Sequence, residues 1–499
     1  MKEILSVKNM RESDAATIRS GVSGKALMYR AGVGILESAE WKSPVAIVCG
    51  CGNNGGDGYV LAILLSDRGI PCTIYALSDR FSEDGLYYAQ TCADREIRCV
   101  KYTEGIDLSG YGTIVDCIFG TGFRGDAEGI ERRVIEAINR EKERGAYVVS
   151  VDINSGLNGD SGRGKTVVRS DLTVSIGGLK AGHFLGAAKD HIGRLVNCGI
   201  GITPIEKPYG LIEACDVKAA LGVRRNDSNK STYGYIAIVG GSECYSGAIR
   251  LASLAESAMR AGAGVTTVAA PRSLSPVILP SILESTFFPL SEEDGFLSFS
   301  MEEFERLTHR VKVVAFGMGV GLSRETERAV EYLLKSYKHR LVLDADGLNA
   351  LSHLPRECIK ESRATVVLTP HPLEFARLSG LALDEVLSDP IRHAQSYARE
   401  TGAIVLLKGA TTVVTDGDEV VLVDRGCAGM ATAGSGDVLS GVLAALLGYV
   451  SDPLLATACA SYLCGRAGEI AEKENGAISM TASDTARHVK DAVFEIVSS

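Results

Sequence analysis

Short apolar runs recur along this chain with helical stretches between them, and no other feature narrows the fold so far. In the first half they fall at residues 45–49, 73–77, 112–116 and 147–151, with helical character over 59–68. The pattern restarts at 235–239 and continues through 265–268, 313–316, 341–344 and 366–369 to 404–407. Runs that stay apolar instead of alternating are buried on both faces. Each series therefore predicts an α/β fold, a mostly parallel sheet covered by helices. Between the two series, residues 202–210 are rich in chain breakers and lack periodicity, which places the boundary near 204–222 and the domains at 1–212 and 216–499. A length of 499 residues agrees, since one hydrophobic core rarely serves so long a chain. The halves share no motif, so two different domains are fused.

Composition removes several function classes. The net charge of −10 speaks against nucleic acid or an anionic membrane as partner, while leaving room for a local basic pocket that takes a phosphorylated small molecule. The first 21 residues carry acids and no apolar core, unlike a secretion signal, and no run reaches the ~18 apolar residues of a membrane span. Thirteen cysteines without CxxC pairs read as reduced thiols, so a cytoplasmic protein is expected. Cys49 and Cys51 flank a glycine and, on a continuing strand, would face the same way.

Chemistry concentrates where strands end. Gly434-Ser435-Gly436-Asp437, followed at once by an apolar helical run over 438–447, offers an anion hole of free helical N–H groups with a carboxylate at its mouth. There Asp437 is placed to take a proton from a hydroxyl while the N–H groups stabilise a phosphoryl group, or else it merely caps the helix. Strand ends around this motif carry Gly240-Gly241 with Ser246-Gly247-Ala248 leading into a helix over 249–262, Gly317–Gly321, Asp344–Asn349, Thr369–Glu374 with His371, and Lys408–Thr412. In the first half, Gly50–Gly58 (GCGNNGGDG) follows one strand, Asp116 with Phe119–Gly125 (FGTGFRG) another, and Asp152 within VDINSGL a third. Ligands bind at carboxyl ends of parallel strands, so each half should hold one crevice.

The first set of motifs, continued by Asp171-Leu-Thr-Val and Lys180-Ala-Gly, resembles the NAD(P)H-hydrate epimerase domain over most of residues 40–185. The resemblance implies a Rossmann-like doubly wound sheet that interconverts the R and S epimers of hydrated NADH and NADPH. It implies substrate contacts from Asn53, Asn54, Gly55, Gly56, Asp57, Gly120, Thr121, Gly122, Phe123, Arg124, Gly125, Asp126 and Asp152. It also implies a K+ ion on Asn54, Asp116 and Ser155. Asp152, at its strand end, is the expected proton-transfer group. Asn154 stands where the family usually has proline, which should loosen the loop. The second set resembles the ADP/ATP-dependent NAD(P)H-hydrate dehydratase domain, a ribokinase-like α/β domain, over roughly residues 225–495. By position, Ala248, Gly319, His371 and Asp437 would meet the hydrated nucleotide. Lys408, Gly409, Ala410, Thr411 and Thr412, with Gly436, would hold the adenine nucleotide, ADP, with Mg2+. Asp437 would act as base. Leu373 replaces a usual glycine, and Cys427-Ala428 a usual Asn-Pro pair. The expected partners are therefore NADHX, NADPHX and ADP, in a homo-oligomer. Two other readings stay open: a ribokinase-like vitamin or sugar kinase, which would leave a stable phosphorylated product, and a non-catalytic epimerase-like scaffold.

Overall fold

A computed structural model describes residues 1–103, 106–253 and 255–498, with the side chains of 255 and 256 outside the description. The chain divides into two compact units, Glu3–Tyr209 and Gly210–Ser499, the latter also taking in Met1–Lys2. The division falls slightly before residue 212 because Gly210 and Leu211 pair with Val421 and Leu422, and Ile212 packs into the second unit's core.

In the first unit seven parallel strands run edge to edge as Cys99–Lys101, Cys72–Ala76, Val45–Cys49, Thr113–Cys117, Tyr147–Val151, Leu172–Ile176 and Arg194–Cys198. In chain order this is a doubly wound sheet, and its order reverses between Val45–Cys49 and Thr113–Cys117, opening a crevice at their carboxyl ends. Successive side chains feed opposite faces. Val45, Ile47 and Cys49 share a core with Tyr59, Leu61 and Leu65 of helix Asn53–Asp67, whereas Ala46 and Val48 share one with Val134, Ile135 and Ile138 of helix Gly129–Glu143.

Two expectations change here. The helix read over 59–68 starts at Asn53, because glycines that look like a loop are packing contacts. A Cβ on Gly55 would lie 2.1 Å from the Gly50 carbonyl oxygen, one on Gly50 2.0 Å from that of Ile118, and one on Gly58 2.7 Å from Cys49 Sγ. Only bare backbone lets this helix sit so close to the strand ends. The strand also stops at Cys49, which is buried while Cys51 is exposed, so the two thiols share no strand face.

The second unit repeats the arrangement with Thr286–Leu290, Val265–Pro271, Tyr235–Val239, Val313–Phe316, Arg340–Leu343, Thr365–Leu368 and Ile404–Leu407, all parallel. Thr412–Thr415 and Val420–Val423 extend it antiparallel, and Tyr209–Leu211 pairs parallel with the last. Its reversal point lies between Tyr235–Val239 and Val313–Phe316. One face packs on helix Ser435–Tyr449, which is buried from Val438 through Gly448, and on helices Pro453–Asn475 and Ala482–Ser498. The helix expected over 249–262 is α-helical over Ser246–Ser253 and takes a wider π turn over Ala255–Met259, with Leu254 outside the described residues. Among the described residues no helix is long and apolar enough to cross a membrane.

Candidate active sites

At the first reversal point, helix Asn53–Asp67 opens at Gly52, which offers no side-chain cap and beside which a Cβ would meet nothing within 4 Å. Its first N–H groups face a cleft of about 340 Å³. Asn53, Asn54, Asp57, Gly120, Thr121, Gly122 and Asp152 line that cleft. Gly55 and Gly56 are buried in the helix behind it. The rest of the second loop turns away: Phe123 stacks on Phe119 with ring centroids 4.4 Å apart, Arg124 and Gly125 are exposed, and Asp126 pairs with Lys165 at 2.6 Å.

Asp152 has φ of +67°, a left-handed conformation that a residue other than glycine holds only under constraint. The constraints are visible. Its N–H donates to the Val174 carbonyl at 2.7 Å, its carbonyl meets His183 Nε2 at 2.8 Å, and its Oδ2 accepts from the Thr121 N–H at 3.1 Å. Its Oδ1 accepts from Nζ of the fully buried Lys180 at 2.5 Å. Burial by itself would raise the pKa of Asp152, but the Lys180 charge and these hydrogen bonds outweigh it and hold the carboxyl below its ordinary range. Asp57 faces the same cleft without a hydrogen-bond partner among the described residues. Burial first, then the charge of Asp152, pushes its pKa well above the ordinary value. The surroundings push the two carboxyls apart, Asp152 towards its ionised form and Asp57 towards its protonated one, the direction an acid–base pair needs.

Beside the cleft, Asp116 is fully buried and accepts from Ser155 Oγ at 2.5 Å, from the Ser155 N–H and Ser150 Oγ at 2.9 Å each, and from the Ile118 N–H at 3.2 Å. Burial still leaves its pKa raised against those bonds. Asn54 Nδ2 donates to the Phe119 carbonyl at 2.8 Å, and the Phe119 N–H donates to Ser155 Oγ at 2.9 Å. That arrangement leaves Asn54 Oδ1 buried with no donor. An orphaned amide oxygen grouped with a carboxylate and a hydroxyl, all oxygen donors, fits a hard cation such as potassium. Asn154 does not loosen its loop. Its Nδ2 faces the oxygens of Val168, Ser170 and His191 at 2.8, 3.0 and 3.1 Å, and its Oδ1 accepts from Thr173 Oγ1 at 2.5 Å. The amide ties together three segments that a proline would leave unlinked.

In the second unit, Gly434 (φ +93°) occupies the N-cap of helix Ser435–Tyr449 and supplies no side-chain cap. Asp437 is the third residue of the helix, so the capping role is not its own, and it has no hydrogen-bond partner among the described residues. Burial, then the charge of Asp344, raises its pKa to about 7, with Lys408 pulling the other way. A Cβ on Gly436 would lie 3.4 Å from Lys408 Nζ and 3.6 Å from Asp344 Oδ2, so helix mouth, cation and carboxylate converge. Lys408 Nζ donates to Asp344 Oδ1 at 3.1 Å and lies 3.8 Å from Glu374 Oε2, while Ser440 Oγ donates to Asp344 Oδ2 at 2.7 Å. Burial opposes the lysine's charge, yet Asp344 and Glu374 outweigh it and keep the pKa above the ordinary lysine value. The backbone beside Asp344 is strained, with Ala345 at φ +47° and ψ −117°.

The remaining expected residues lie on loops and helix starts that follow strands of the same sheet. A Cβ on Gly319 (φ +67°) would touch Ala248 Cβ at 3.0 Å, and the Gly241 N–H donates to the Met318 carbonyl at 2.8 Å, joining the two loops at the reversal point. His371 caps helix Pro372–Ser379: its Nδ1 accepts from the Glu374 N–H at 3.2 Å and its own N–H donates to Glu374 Oε2 at 2.8 Å. Burial and the Lys408 charge lower its pKa, which favours the neutral ring. Gly409, Ala410 and Thr411 form the turn into strand Thr412–Thr415, with Thr411 Oγ1 donating to Asp424 at 3.1 Å. The described residues hold no group of three His, Cys, Asp or Glu side chains able to cage a metal. A magnesium ion suits this site as a companion of phosphate oxygens, the company it prefers.

Sequence reasoning missed Lys180, Asp344 and Glu374 as site residues, and missed Arg11 on the wall of the first cleft. Lys180 sits in a motif the sequence does display, but its partner Asp152 is 28 residues away.

Known proteins match both units. The family model described as YjeF-related protein N-terminus covers residues 24–182, and that of NAD(P)H-hydrate dehydratase covers residues 236–490. A bifunctional NAD(P)H-hydrate repair enzyme of Thermofilum pendens is 35% identical over 94% of this chain and 91% of its own length. Its counterpart from Escherichia coli is 32% identical over 95% of this chain and 90% of its own length. The ADP/ATP-dependent NAD(P)H-hydrate dehydratase from Bacillus subtilis, co-crystallised with ATP and Mg2+, aligns with a TM-score of 0.50 at 26% identity, covering 58% of this chain and 99% of that one. With relatives matched over nearly its full length and both units represented, the chain belongs to the family of bifunctional NAD(P)H-hydrate repair enzymes.

Proposed function

We propose that the chain restores hydrated NADH and NADPH in two steps, one in each unit. The first unit interconverts the R and S hydrates. The second dehydrates the S hydrate at the expense of ADP, giving NAD(P)H, AMP and phosphate. In the first unit, the ring nitrogen's lone pair expels the hydroxyl as water and a water returns to the opposite face. Asp57, protonated, supplies the departing proton, and Asp152, held ionised by Lys180, receives one from the incoming water. Asn54, Asp116 and Ser155 would hold a potassium ion, which would supply fixed positive charge to the loops that position the substrate.

In the second unit, Asp437 accepts the proton of the ring hydroxyl as its oxygen attacks the terminal phosphoryl group of ADP, with AMP leaving. The N–H groups of Gly436 and Asp437 on the first helical turn and the charged Lys408 stabilise the phosphoryl oxygens. Magnesium, when bound with the nucleotide, would supply further neutralisation of phosphate charge. Phosphate is a far better leaving group than hydroxide, so the ring nitrogen expels it, and loss of the neighbouring ring proton yields the reduced nicotinamide. One observation carries this reading: a carboxyl without a hydrogen-bond partner, shifted to about 7, on the first turn of an uncapped helix beside a buried lysine. Incubating separated R and S hydrates with ADP or ATP, and following the absorbance of reduced nicotinamide, tests it. S should react directly and R only after epimerisation. Accumulation of a stable phosphorylated product would instead identify a kinase.

A further inference from the structure

We propose that Arg11 binds the phosphates of the nucleotide hydrate in the first unit's cleft. The inference rests on the epimerase reading above and adds a residue to it. A dinucleotide brings a negatively charged pyrophosphate into a cleft whose other basic wall residue is already occupied: Lys180 Nζ is bound to Asp152, to Ser175 Oγ at 3.1 Å and to the Ile176 carbonyl at 2.7 Å. Arg124, the cation of the glycine-rich second loop, is exposed and does not line the cleft. Arg11 approaches that same loop: a Cβ on Gly122 would lie 3.2 Å from its Nη2. Among the described residues Arg11 has no ion pair or hydrogen bond through its guanidinium, so the group is uncommitted.

The helix that carries it is well fixed. In Val7–Arg19 the Val7 N–H donates to Asp160 Oδ1 at 2.7 Å, Asn9 Nδ2 donates to the Glu206 carbonyl at 3.0 Å, and Met10 and Ser13 are buried. A guanidinium on a held helix offers two parallel N–H donors to a phosphate, which a lysine cannot do. The same wall carries the open N-terminus of helix Asn53–Asp67, a second source of N–H donors for the anion. Asp14, one turn along the same helix, and Asp84 also present carboxyls to the cleft and repel a phosphate, which leaves the Gly122 side, where Arg11 Nη2 lies, as its place.

The test measures epimer interconversion in the full-length protein, starting from pure S hydrate without ADP, with two substrates: hydrated NADH and the phosphate-free hydrate of reduced nicotinamide riboside. For Arg11→Ala we expect KM for hydrated NADH to rise about 10- to 100-fold, the worth of a charge-assisted contact, with kcat held. Arg11→Lys should recover part of the loss, and Arg19→Ala, on the exposed last turn of the same helix, should change nothing. On the riboside hydrate Arg11→Ala should match the wild type. An unchanged KM for hydrated NADH, or an equal loss on both substrates, overturns the proposal while leaving the epimerase reading intact. A wild-type protein that interconverts no epimers overturns the reading itself, and the inference with it.

Discussion

Asp437 draws its chemistry from its surroundings. Gly434 takes the cap position, burial and Asp344 raise the acid's pKa, and Lys408 keeps it from rising further. A base must be ionised to accept a proton, so dehydration should climb as pH rises through about 7 and level off above it. Asp437→Asn keeps the shape and the N–H groups but accepts no proton. Its rate should fall about 10²- to 10⁴-fold and lose that rise with pH, while adenine-nucleotide binding changes little. Rates of NADH formation on both sides of pH 7 check both outcomes; a variant that keeps the wild-type rate reduces Asp437 to a bystander. Asn154 makes a stability prediction at the same scale. Asn154→Ala strips partners from Val168, Ser170, Thr173 and His191 in a buried site, and should cost the first unit about 1–3 kcal/mol, read from denaturant unfolding. Asp152 is legible in the sequence because it closes a strand, and Asp437 because a Gly-Ser-Gly turn and an apolar helical run flank it. Lys180 and Arg11 are not, since each acquires its role only when a distant segment folds against it.

Among elements, strands were easier to read than helix starts. Buried parallel strands are continuous apolar runs, and the expected 45–49, 147–151, 235–239, 313–316 and 404–407 coincide with those in the structure. Helix Asn53–Asp67 was hidden because five of its first six residues, NNGGDG, are Asn or Gly, a string that reads as a turn. The close approach those glycines allow is testable. The Cβ of Gly55→Ala would press on the Gly50 carbonyl at 2.1 Å, so the helix must shift off the strand ends. Epimerisation should drop at least tenfold while dehydration of the S hydrate persists; equal loss of both activities would contradict this. The orphaned Asn54 oxygen next to Ser155 and Asp116 makes a second claim. Replacing potassium by sodium, or making Asp116→Ala, should suppress epimerisation and spare dehydration, as separate assays of the two steps would show.

At the scale of the whole chain, two doubly wound sheets each place a site at a reversal of strand order, and the residues named at each site belong to one unit. The fusion has a chemical rationale: a dehydratase that takes only the S hydrate strands the R hydrate unless an epimerase accompanies it. The chain passes from one unit to the other at Tyr209–Gly210, inside the breaker-rich stretch over 204–222, while the backbone pairing by which Gly210 and Leu211 join the second sheet is announced by no side-chain pattern. The most direct measurement is the absorbance of reduced nicotinamide during incubation of a mixed R and S hydrate with excess ADP. The wild type should convert both epimers completely, Asp152→Asn should convert the S share rapidly and then slow to the spontaneous epimerisation rate, and Asp437→Asn should show almost no conversion. Complete, single-phase conversion by Asp152→Asn would contradict the division of labour between the two units.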